Sequence, residues 1–212
     1  GDIDPDGKRV VFVADSNAGA DLVEKMTPAQ RRAVEAHMPE DLAAEGFCAA
    51  GIPVTAAQIR QRFQWEKHQL LDLALKPSRE TGKILDEAAQ EMESMGYHVV
   101  RIPGLVNGLT NKEDKNDEFL GISFNYSNVL VEVEGAVKNI YLPAFGFKEL
   151  DEAAAKAYRD AGFRVMTIKG LLTNALTPAE AGAGLDCMTS EIRFPVRWAQ
   201  KYYEAIGPQP LK

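Results

Sequence analysis

The chain has 212 residues, of which 45% are hydrophobic and 26% charged, and it carries a formal net charge of −7 with two cysteines and three histidines. That length can bury a full core, as one large domain or two small ones. No apolar run approaches the ~18 residues of a membrane span, and no Lys/Arg stripe offers the phosphate-neutralising surface that nucleic acid requires. The expected partners therefore include neither membrane nor nucleic acid. Cys48 and Cys187 lie far apart, and with the scattered histidines they form no metal-ligand spacing. Free thiols fit a reducing cytoplasm, which is the expected location.

The opening GDIDPDGKR is polar, and the KRVVFVAD that overlaps it (8–15) is β-rich after the turn-like DPDG. Residues 16–95 then read almost entirely as helix. TPAQ at 27–30 and TAAQ at 55–58 are capping boxes, in which Thr caps and the Gln three residues later reaches back. They start helices over MTPAQRRAVEAHM and TAAQIRQRFQWEKHQLLDLAL. A third, SRETGKILDEAAQEMESMG (78–96), ends on Gly96.

From Tyr97 the texture changes. YHVVRIPG (97–104) predicts a strand, and GLTNKEDKNDEF (108–119) an exposed polar loop. SNVLVEVEGAVKNIYLPAFG (127–146) predicts two strands around a Glu-Gly turn. KELDEAAAKAYRDAGF (148–163) is an amphipathic helix, RVMTIKG (164–170) a strand, the cysteine segment 185–194 another, and PVRWAQKYYEAI (195–206) a closing helix. Helices alternating with short strands predict an α/β fold. MGYHVVRIPG and AGFRVMTIKG form a weak internal repeat: a helix closing on Gly, an aromatic residue, then a strand ending in Gly. Such a repeat fits a doubly wound sheet or a pseudo-symmetric ring. No phosphate-binding glycine fingerprint accompanies it.

The strand pair SNVLVEVEGAVKNIYLPAFG, followed by helix, strand and GAGLDCMTSEIRFP, resembles the C-terminal part of the penteins. That superfamily modifies guanidino groups and includes agmatine and peptidylarginine deiminases, arginine deiminase, dimethylarginine hydrolase and amidinotransferases. The resemblance covers roughly residues 97–195. It implies a propeller of five ββαβ modules around a narrow channel, with 1–212 as a single pentein-like domain and 17–77 as a helical insertion within it. Cys187 would be the nucleophile, giving a covalent amidino-thioether, so no metal or organic cofactor is needed. The implied substrate is a cationic guanidino small molecule or an arginine residue. A ring of five modules needs more strand pairs than are evident here, so an upstream segment or a second copy is expected to complete it.

The chemistry makes matching demands on the residues. A thiol must be deprotonated to attack, so Cys187 needs nearby positive charge or a base. Gly182 and Gly184 would permit close backbone approach beside it. The alternative is a small thiol buried in a strand, as free cysteines commonly are. Cys48, in EGFCAAG, reads as packing. Several deiminases have His immediately before the cysteine, where this chain has Asp186. By alignment with the family, Asp2 is a site carboxylate, although DIDPDG also reads as an acidic turn. Asn128 matches the family's strand asparagine, as a substrate contact or as support for the channel wall. The family's general acid is a histidine. Here it is either upstream of Gly1 or His68, which has Asp72 one helical turn on to orient its ring. His37 reads as helix surface, His98 as a partly buried strand position, and Arg193, Arg197 and Trp198 as a docking face. A non-catalytic pentein-like binding or scaffold protein is the rival from another class. A papain-like Cys-His hydrolase fits poorly, because no histidine follows Cys187.

Overall fold

The structure, a computed structural model, describes residues 6–46, 48–49, 52–62, 69–106, 123–134 and 137–169. In chain order its elements are β1 (Val10–Asp15), α1 (Ser16–Lys25), α2 (Pro28–Ala44), β2 (Cys48–Ala49), β3 (Ile52–Pro53), α3 (Ala56–Arg62), α4 (Leu70–Ser94), β4 (His98–Pro103), β5 (Leu105–Val106), β6 (Ser123–Phe124), β7 (Leu130–Glu134), β8 (Val137–Pro143), α5 (Lys148–Asp160) and β9 (Arg164–Ile168). The architecture is mixed α/β. The sheets are small and none is closed among the described residues.

Two crossover units organise the chain. In the first, β1 and β4 pair in parallel from Val10 opposite His98 to Asp15 opposite Pro103, and α4 precedes β4. In the second, β7 and β8 form the expected antiparallel hairpin, α5 follows, and β9 returns parallel to β8, giving the order β7-β8-β9. The internal repeat corresponds to the ends of these units. After α4, Gly96 takes φ +89° while Gly96 and Tyr97 N–H groups donate to Glu93 and Met92 carbonyls. After α5, Gly162 takes φ +87° while Gly162 and Phe163 donate to Arg159 and Tyr158. Glycine suits these left-handed helix ends because it has no Cβ to clash, and after the second of them Phe163 turns back onto the core.

Aromatic contacts join the units. Phe12 of β1 meets Tyr158 of α5 at 4.9 Å and Phe163 at 5.3 Å, both edge-on. Such pairs contribute about 0.5–1.5 kcal/mol each beyond the area they bury. Ile102, Leu105, Ile140 and Leu142 are fully buried in the same core.

Both capping boxes form: Thr27 Oγ1 accepts from the Gln30 N–H at 3.3 Å, and Thr55 Oγ1 from Gln58 at 3.3 Å. Asp15 caps α1 by accepting from Ala18 N–H at 2.8 Å. Small residues let α1 lie close to α4, and the Ser16 hydroxyl donates to the Ser78 carbonyl at 2.8 Å. Arg79 of α4 reaches back across the pair to Asp21 at 2.5 Å and Glu24 at 2.8 Å. Arg31 donates to the Val23 and Met26 carbonyls at 3.1 and 2.9 Å, so a cation closes the C-terminal end of α1.

Three expectations about local structure are corrected. The break expected before residue 78 does not occur: α4 runs continuously from Leu70 to Ser94 through Pro77. Leu70, Leu71, Ala74, Ser78, Gly82 and Ala89 form one buried stripe across the proline, and packing of that stripe outweighs the lost hydrogen bond. The carbonyl that loses its donor belongs to Leu73, which is 46% exposed. His98 is exposed rather than partly buried, since it opens β4 at the sheet's end. Within 17–77 the chain is not wholly helical, because β2 and β3 form a two-residue antiparallel pair. Residues 107–122, where the polar loop was expected, lie outside the described residues.

Candidate functional site

In a parallel βαβ unit the loops leaving the carboxyl ends of the strands form the usual ligand crevice. Here that edge belongs to β8 and β9. Pro143 pairs with Ile168 at the ends of the two strands, and the Ala144 N–H donates to the Ile168 carbonyl at 2.8 Å. The hairpin register sets Leu130 opposite Tyr141, which carries Asn128, two residues before β7, to the same edge. Asn128 is half-buried there.

Two short turns frame the edge, and both are tied to α5. The first is Asn125–Ser127, where Asn125 Oδ1 accepts from the Ser127 N–H at 3.1 Å and the Ser127 hydroxyl at 2.6 Å. The second is Ala144–Phe147, where Gly146 adopts φ +82°. Asp151, in the first turns of α5, joins them. Its Oδ1 accepts from the Tyr126 hydroxyl at 2.6 Å and the Phe145 N–H at 3.0 Å, and its Oδ2 accepts from the Gly146 N–H at 3.1 Å. The Tyr158 hydroxyl donates to the Tyr126 carbonyl at 2.8 Å. Phe145 packs edge-on against Tyr126 at 5.0 Å, so the two turns also share an apolar contact.

Burial dominates the electrostatics. Desolvation raises the Asp151 carboxyl above its ordinary value, while the bonds from Tyr126, Phe145 and Gly146 pull the other way. Desolvation, with the Asp151 charge behind it, holds the Tyr126 phenol well up. Tyr126 is therefore a neutral donor at physiological pH. Three of the roughly four acceptor positions of the Asp151 carboxylate are taken internally, which leaves it a scaffold rather than a ligand grip. The helices also reach this edge: Asp41 of α2 supplies the nearest atom, 3.9 Å from where a Cβ on Gly146 would sit. Burial raises the Asp41 carboxyl as well.

Among the residues singled out from the sequence, Asn128 stands at this edge. Cys187, Asp2 and His68 lie outside the described residues, as do Gly182, Gly184, Asp186, Arg193, Arg197 and Trp198. Asp72, the expected partner of His68, lies 2.9 Å from Arg31 Nε, close as an ion pair though angled away from a hydrogen bond. His37 is exposed on α2, as its helix-surface reading required. Cys48 opens β2, with its backbone opposite Pro53. Among the described residues no group of three or more His, Cys, Asp or Glu side chains could hold a metal ion, and no helix is long and apolar enough to cross a membrane.

Tyr126 and Asp151 escaped the sequence reading. An Asn-x-Ser turn signal and an acid soon after a glycine turn were both present, but each is common in loops and helix starts. Their pairing spans 25 residues and exists only in the fold. No protein-family model and no curated protein sequence matches the chain.

Proposed function

We propose that the chain is a pentein-type enzyme that modifies the guanidinium group of an arginine-like compound through Cys187. What supports the reading is the strand–strand–helix–strand unit β7-β8-α5-β9, with Asn128 at the edge where β8 and β9 end. From that edge the sequence continues toward the glycine-flanked cysteine. The five-module ring is part of this proposal.

In the proposed reaction the Cys187 thiolate attacks the guanidinium carbon and forms a C–S bond. The C–N bond to the leaving amine breaks as a general acid, His68 or a histidine upstream of Gly1, protonates the amine. The same histidine then takes a proton from water or an acceptor amine as it adds to the thioether carbon, and the C–S bond breaks to return the thiolate. Water makes the protein a deiminase-type hydrolase, and an amine makes it an amidinotransferase. Asn128 contacts the substrate at the channel edge, and Asp2 is a carboxylate partner for the planar cation, which paired oxygens match best. Because Asp41 of α2 lies beside Gly146, α2 is the element within 17–77 that covers that edge.

The test is turnover. Arginine, agmatine, dimethylarginine and peptidylarginine are offered, and the ureido product or transferred amidine is measured. Cys187→Ala should abolish it while the melting temperature stays within a few degrees. Retained turnover, or a large loss of stability, overturns the assignment. Asp186 in place of the family's histidine favours a second reading, a pentein-like protein that binds guanidino ligands without reaction. That reading predicts binding by calorimetry with no product, and a Cys187 thiol of ordinary pKa.

A further inference from the structure

We infer that Asp151 is a positioning residue for this site, locking the segment that carries Asn128 to the turn that follows β8. The inference rests on the proposal above in one respect only, that Asn128 contacts substrate.

The geometry is a two-sided clamp. Tyr126 is gripped at both ends by α5: its hydroxyl donates to Asp151 at 2.6 Å and its carbonyl accepts from Tyr158 at 2.8 Å. Only Ser127 separates Tyr126 from Asn128, and Asn125 pins Ser127 through both its N–H and its hydroxyl. The path of the backbone into Asn128 is therefore set from α5. On the other side the same carboxylate orients Phe145 and Gly146, the residues that turn the chain away from β8.

A helix-end role alone does not account for this arrangement. An acid near a helix N-terminus is favourable while solvated, and it needs no phenol. Here the carboxylate is withdrawn from water at a cost that raises its proton affinity, and its shortest bond goes to a side chain on another segment. A buried carboxylate shared by two segments costs more and specifies more, because it fixes their relative position.

The test compares Asp151→Asn, Tyr126→Phe, Asn128→Ala and the Asp151→Asn/Asn128→Ala double variant. Two readouts are used: steady-state turnover of the guanidino substrate, and hydrogen exchange of the Ser127, Phe145 and Gly146 amides. Asp151→Asn and Tyr126→Phe should each raise KM by about tenfold, the value of one hydrogen bond to a charged group, with a smaller effect on kcat. The double variant should be no worse than Asn128→Ala alone, because both changes remove the same contact. In Asp151→Asn all three amides should exchange faster, and in Tyr126→Phe at least Ser127 should. Additive losses, or faster exchange confined to Phe145 and Gly146, would overturn the inference and leave a plain helix cap. If the wild type turns over no guanidino compound, the proposed function fails and exchange alone decides the positioning role. If Asp151→Asn does not fold, Tyr126→Phe carries both readouts.

Discussion

Gly19 faces the Gly104 carbonyl so closely that a Cβ at residue 19 would lie 1.9 Å from the oxygen and 2.6 Å from its carbon. This contact is where α1 crosses the chain between β4 and β5, and it closes the first crossover unit. The neighbour is backbone, so no rotamer change relieves the clash. Gly19→Ala gains about 1 kcal/mol of helix propensity but meets overpacking at the upper end of the usual 1–3 kcal/mol. The net loss should be about 2 kcal/mol, a fall in Tm of roughly 4–8 °C for a chain this size. Gly82→Ala meets the Asn17 side chain instead, at 2.5 Å, and should cost less because a side chain can shift where a backbone cannot, at the expense of the Asn17–Asp86 hydrogen bond. Thermal melts check both. A Gly19→Ala variant as stable as the wild type would contradict the packing.

Glu35 of α2 is buried and accepts from the Leu71 N–H at 2.7 Å, supplying α4 with the cap that its own N-cap residue does not. Desolvation raises its carboxyl above the ordinary 4.5; the Leu71 bond, Arg31 and Arg32 oppose this, and Asp72 adds to it. The folded chain therefore holds more protons than the unfolded one between pH 4.5 and the raised folded value. Stability contributed by Glu35 falls as pH rises through that window and is level above it. Glu35→Gln keeps an acceptor for Leu71 without the charge. Its Tm relative to wild type should be most favourable at neutral pH and should decline as pH drops toward 4.5. Glu35→Ala should instead lose about 1–2 kcal/mol for the missing cap. A Gln-to-wild-type difference that is flat with pH would refute this account.

Pro77 shows where local sequence rules lose to packing. Replacing it restores the N–H for the Leu73 carbonyl and a residue that favours helix by about 3 kcal/mol, against about 1 kcal/mol of lost unfolded-state restriction. Pro77→Ala should raise Tm by several degrees and leave α4 unchanged by circular dichroism. A neutral or destabilising effect would favour two helices separated at this point.

Much of the fold was legible because its signals are local. The two capping boxes and the glycine ends at Gly96 and Gly162 each act within a few residues of the chain. The β7-β8 hairpin followed from alternation on either side of a turn. The misses concern burial. Asp151 and Glu35 stand among other acids on their helices, and only partners 25 and 36 residues away reveal them as internal. The stripe across Pro77 was hidden because a proline is a strong local signal and a continuous buried face is a tertiary one. Of the edge where β8 and β9 end, the sequence singled out Asn128, whose role there is part of the proposal, and missed the clamp that holds its segment.

The proposed function requires Cys187 to be an activated nucleophile toward a guanidinium, and a haloacetamidine tests it most directly. This reagent carries the planar cation of the substrate and alkylates thiolates. Applied to the native protein and followed by peptide mass spectrometry, it should modify Cys187 well ahead of Cys48. The rate should reach its plateau well below the ordinary thiol value of about 8.5, and excess arginine or agmatine should protect the site. Equal modification of the two cysteines, or modification of Cys187 only after denaturation, would contradict the claim.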